Sequence, residues 1–108
     1  MQFSGFVSLF LNLGMNMIEF RDSLQNRQPD DSLPVHLQSL WFDANGNWEK
    51  SHELIQDLED ADSARIHAYL HRKEGDQGNA LYWYRRAGVP AFQGSLEEEW
   101  EYLVGDLL

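Results

Sequence analysis

His67 and His71 stand one helical turn apart, so on a helix both imidazoles project from one face, and such a pair with a third donor is a known way to hold zinc. His52 or Glu53 from the preceding segment, or Glu74 one turn on, can supply that donor. The chain has no His-Glu-x-x-His string and no cysteine. The first expectation is therefore a pair of polar core histidines, hydrogen-bonded to tyrosine or carboxylate partners, and the second is a zinc site built from His52, His67, His71 and Glu74. Other chemistry is thin. No serine has a nucleophile's setting, no glycine-rich phosphate loop is present, and Glu53 with Asp57 reads as a solvated helix edge.

Helices must position these residues, because helical period is the only strong pattern in the chain. Ile18, Phe20 and Leu24 mark one or two amphipathic turns within 17–26, closed by the polar break Gln28-Pro29-Asp30-Asp31-Ser32. Pro34 suits a first turn, and Leu37, Leu40, Trp41 and Ala44 follow at helical spacing up to Asn45-Gly46-Asn47. Trp48, Leu54, Ile55 and Leu58 carry a helix to about residue 58, and the acidic stretch 59–62 is a turn. A further helix runs from near Ser63 to Glu74 through Ile66, Ala68, Tyr69 and Leu70. Gly75 breaks it, Asp76 caps the next, and Ala87-Gly88-Val89-Pro90 stops that one near Arg86. Ser95 with Glu98 is a capping-box pattern, and Leu96, Trp100, Leu103, Val104 and Leu107 form one apolar face of a last helix.

The hairpin is written twice. Sliding Gly46 onto Gly75, a shift of 29 residues, pairs Asn47 with Asp76, Ser51 with Ala80, Ile55 with Tyr84, Leu58 with Ala87, Leu37 with Ile66 and Trp41 with Leu70. Each hairpin leaves a face that only a neighbour can cover, so two in tandem with a terminal helix make a sensible minimum. At Gly75-Asp76, Ala80, Tyr84, Ala87 and Pro90 the chain resembles the second half of a tetratricopeptide repeat, over roughly residues 35–90. It departs from that pattern in its shorter period, in Ser39 and Ala68 where the family has glycine, and in His67 and His71 where it has Leu and Tyr. The string His67-Ala68-Tyr69-Leu70-His71-Arg72-Lys73-Glu74-Gly75-Asp76, with Tyr82-Trp83-Tyr84-Arg85-Arg86-Ala87-Gly88, also resembles a small uncharacterised bacterial family that brings no assigned activity.

The tetratricopeptide resemblance implies that the first helix of each hairpin lines a concave surface. Five of the eight basic residues, Arg65, Arg72, Lys73, Arg85 and Arg86, lie in the second hairpin. Arg65, Tyr69, Arg72 and Lys73 are then expected to offer cations and an aromatic to a peptide carboxylate or acidic side chain. The competing expectation is that these cations pair with carboxylates of the chain itself, including Glu97, Glu98, Glu99 and Glu101. Tyr82, Trp83 and Tyr84 cannot all face one way on a helix. Tyr84 is assigned to the core, which leaves Trp83 or Tyr82 to pack on the last helix, a second subunit or a ligand.

Composition bounds the rest. With 108 residues, 43% of them hydrophobic and 13% aromatic, the chain is one folded domain and is not disordered. Eighteen acidic against eight basic residues, a formal charge of −10, argue against nucleic acid and anionic membranes as partners. The absence of cysteine excludes disulfides and thiolate sites and is compatible with a cytoplasmic location. The apolar run 3–13 lacks a preceding cation and is too short to span a membrane. Met17-Ile18-Glu19-Phe20 reads as a bacterial start, so residues 1–16 are either an upstream extension or an apolar segment docked on the core. The expectation is an all-α domain over 17–108, two tandem tetratricopeptide-like hairpins and a C-terminal capping helix, acting as a protein or peptide interaction module. The alternative is a small enzyme or metal-binding protein with a His/Glu site between the hairpins. No cofactor other than zinc at the histidines is expected.

Overall fold

A computed structural model describes residues 15–108; the apolar run 3–13 lies outside them. The described residues form six helices and no strand: α1 (Met17–Ser23), α2 (Val35–Ala44), α3 (Trp48–Ile55), α4 (Ala61–Lys73), α5 (Gln77–Ala87) and α6 (Leu96–Leu107). None of these helices is long and apolar enough to cross a membrane.

The two hairpin turns have the same build. Gly46 and Gly75 take φ of +81° and +87°, a region that glycine enters without steric cost. Asn47 donates its backbone N–H to the Phe42 carbonyl at 2.9 Å, and Asp76 donates to that of His71 at 2.8 Å. The side chains of Asn47 and Asp76 then cap α3 and α5 by accepting from the N–H groups of Lys50 and Asn79. Behind the turns Ser51 and Ala80, Ile55 and Tyr84, Ser39 and Ala68, and Trp41 and Leu70 are all buried. Leu58, expected to match Ala87, lies beyond α3 and is exposed. Helix α4 begins two residues before Ser63, because Asp60 rather than Ser63 is its N-cap, accepting from the Ser63 N–H and hydroxyl. Ser95 and Glu98 form the expected capping box on α6, and Gly88 ends α5 in the left-handed region at φ +75°.

Helix α2 packs chiefly on α3, and α4 on α5, while α6 lies against both α2 and α4. Phe20, Leu37, Leu40, Trp41, Ile55, Ile66, Leu70, Trp100, Leu103 and Val104 form the main core, and Ala68, Ala80 and Tyr84 form a smaller one between α4 and α5. Buried indoles are tied to backbone: Trp100 Nε1 donates to the Leu40 carbonyl at 3.0 Å and Trp41 Nε1 to that of Ser23 at 3.1 Å. Asn16 caps α1 in a box with Glu19, and Met15 packs on the core.

Candidate metal centre

His67 and His71 share the face of α4 that meets α3, and His52 projects toward them from the last turn of α3. The His52 and His67 Nε2 atoms are 2.9 Å apart. One ring nitrogen from each of His52, His67 and His71 lies within 4.8 Å of the other two. The rings of His67 and His71 stack with centroids 5.0 Å apart, and His52 stands edge-on to both, at 4.6 and 5.4 Å.

Two tryptophans fix this arrangement. Trp48, one turn before His52 on α3, stacks on its ring at 4.8 Å and anchors itself by donating Nε1–H to the Leu70 carbonyl at 2.9 Å. Trp83 of α5 stacks on His67 at 3.8 Å. Glu74 completes the setting from outside, with a carboxylate oxygen 2.7 Å from Nδ1 of His71. With Nδ1–H donated to that carboxylate, Nε2 of His71 is the nitrogen left unprotonated, the role carboxylates play behind metal-ligating histidines.

Burial and neighbouring rings keep His52 and His67 neutral. Burial, then the neighbouring His52 and His71, lowers the His67 pKa to about 4. Burial and His71 lower that of His52, with Glu74 opposing. At neutral pH both rings are therefore neutral, the form in which an imidazole binds a metal. Two neutral imidazoles with facing Nε2 atoms share one proton between them, since one must donate and the other accept.

The surface expected to bind an acidic peptide is not free. Arg65 pairs with Asp62 at 3.0 Å and with Asp106 of α6 at 2.7 Å, and its side chain is 11% exposed. Arg72 pairs with buried Glu99 of α6 at 2.8 Å and donates to the Gly94 carbonyl. Tyr69 is buried and donates to Asp43 Oδ2 at 2.6 Å, while Lys73 donates to Asp43 Oδ1 at 2.9 Å. The physical reason is the placement of α6, which lies across the first helices of both hairpins and carries Glu99 and Asp106 to these cations. Arg65, Tyr69 and Arg72 are thus held by partners within the chain, and Lys73, paired with Asp43, stays exposed over much of its side chain.

The remaining candidates divide. Trp83 packs on His67, and exposed Arg86 lies 5.2 Å over the Trp83 ring. Arg85 is exposed, and so is Glu53, beside Lys50 at 3.8 Å. His36, the remaining histidine, is tied to Asp60 at 2.8 Å and Ser63 at 3.0 Å, at the start of α4. Sequence reasoning missed Trp48 as a neighbour of the histidines, although a signal existed, the same one-turn spacing to His52 that drew attention to His67 and His71. No protein-family model, curated protein or solved structure matches the chain.

Proposed function

We propose that this protein is a metal-binding helical domain that holds one divalent transition-metal ion, zinc being the reference case, on His52, His67 and His71. The observation that carries this reading is the convergence of one nitrogen from each of these residues, drawn from two helices, within 4.8 Å. Core histidines are ordinarily satisfied by hydroxyls, carboxylates or backbone, whereas here His52 and His67 face each other. A metal ion takes the place of the proton between them. Zinc at about 2.0–2.1 Å from each nitrogen in tetrahedral geometry sets the nitrogens about 3.3 Å apart. The 2.9 Å gap needs to widen by only a few tenths of an ångström, within reach of small side-chain rotations.

Donor chemistry supports the same class of ion. Three imidazoles suit zinc, copper, nickel and cobalt, and offer nothing to magnesium or calcium, which prefer oxygen. Glu74 supplies the outer carboxylate that orients His71. A peptide site on the Arg65–Lys73 face is not proposed, because carboxylates of α2 and α6 already hold that face.

Calorimetric titration of untagged protein with zinc tests this. The expected result is one ion per chain, with binding abolished by His67→Ala or His71→Ala and retained by His36→Ala. Absence of saturable binding, or equal loss in His36→Ala, contradicts the reading.

A further inference from the structure

The three-histidine set is one donor short of a closed tetrahedral site, and the surroundings show what completes it. Among the described residues His52, His67 and His71 form this cluster, a second group of His71, Glu74 and Asp76 adjoins it, and residues 1–14 contain no His, Cys, Asp or Glu. Glu74, a carboxylate beside the cluster, is engaged on Nδ1 of His71 at 2.7 Å. Asp76 accepts from the Asn79 N–H as the N-cap of α5 and from the Asn79 side chain at 2.8 Å. Glu53 is exposed beside Lys50.

Resting on the metal-binding reading, we infer that the ion keeps a fourth, exchangeable position and takes there a small monodentate anion supplied from solution. Structural zinc sites fill all four positions with protein donors, whereas sites that act on exogenous molecules hold three and leave one open. Charge selects the class of ligand. Three neutral imidazoles leave the full +2 charge of the ion uncompensated inside the first shell, and an anion lowers that charge where a neutral donor does not. Access selects the size. His67 is buried, but the His71 side chain is 13% exposed and His52 is half-buried, so the cluster reaches solvent at one side. Trp48 and Trp83 stack on the His52 and His67 rings, so a ligand entering beside His71 meets aromatic walls that favour a small one. Hydroxide from a bound water, azide and small carboxylates all meet these terms.

The test uses the cobalt(II) form, whose visible absorption reports the number and type of ligands. Adding azide in large excess is expected to change the ligand-field bands saturably, with one azide per cobalt, in wild type and in Glu74→Gln alike. A wild-type spectrum indifferent to azide, with Glu74→Gln becoming responsive, means that Glu74 swings in as a fourth ligand and overturns the open position. Indifference in both proteins overturns it as well, while leaving the three-histidine site standing. If cobalt fails to bind at all, the metal-binding reading falls, and this inference with it.

Discussion

Helix α4 presents two faces that treat their polar residues in opposite ways. On one, Arg65, Tyr69, Arg72 and Lys73 each meet a carboxylate, and two of those carboxylates, Asp43 and Glu99, are almost wholly buried. On the other, His67 and His71 meet His52, three groups of one kind that compete for the same protons. A face whose donors and acceptors match is closed and structural. A face on which ring nitrogens of one kind face each other is where an outside cation has something to gain.

The largest effect expected from breaking this contrast is on the closed face. Arg72→Glu leaves Glu99 buried with a like charge beside it, and only the Tyr84 hydroxyl, at 2.6 Å, still donating to it. Breaking a buried pair this way costs about 3–5 kcal/mol, to be read from urea unfolding. A change within about 0.5 kcal/mol, the range of ordinary surface substitutions, shows Arg72 to be a free cation and dissolves the contrast.

Acid sharpens the other face. The His67 pKa is about 4 in the folded protein against an ordinary 6.5, so the unfolded chain takes up the proton first. The stability that this neutral ring contributes is complete above pH 6.5 and is lost as pH falls from about 6.5 to about 4, about 3 kcal/mol in all. Asp60, held at about 2 by hydrogen bonds from Ser63 and from His36 against the opposing effect of burial, loses its contribution only below its ordinary value near 3.8. The two windows do not overlap. In metal-free His67→Gln the slope between pH 6.5 and 4 is expected to flatten markedly; an unchanged slope shows that other groups govern it.

A smaller effect is expected of Tyr69→Phe, which removes one of two donors to buried Asp43 and leaves Lys73 in place. The cost is about 1–2 kcal/mol by chemical denaturation, with zinc affinity unchanged, because the phenol belongs to the closed face. A fall in zinc affinity in this variant would show that the two faces are coupled.

The closed face was the harder one to read from sequence. Gly46 and Gly75, Asn47 and Asp76, and Ser95 with Glu98 are local signals, and each turn and cap they predict is present, since the chemistry that ends a helix lies within a few residues of the end. His67 and His71 were legible for the same reason. The crossing of α6 over α2 and α4 is written only in contacts far apart in sequence, such as Trp100 to Leu40 and Arg65 to Asp106, and no periodicity within one helix reveals them. Hence Arg65, Tyr69, Arg72 and Lys73 read as an open face, when each meets a carboxylate of another helix. His52 lay between, a named candidate whose place beside His67 depends on how α3 meets α4.

Zinc-dependent stabilisation tests the central claim most directly. Ligand bound only to the native state raises stability by an amount that grows with its concentration, about 2.7 kcal/mol at one hundred times the dissociation constant. Thermal unfolding of untagged wild-type protein across a zinc series is expected to show the melting temperature climbing steadily with free zinc at pH 7.5. His71→Ala, with its partner rings and Trp48 intact, is expected to show no climb. A wild-type melting temperature indifferent to zinc, or a His71→Ala series that climbs as the wild type does, would make His52, His67 and His71 a packed polar core and nothing more.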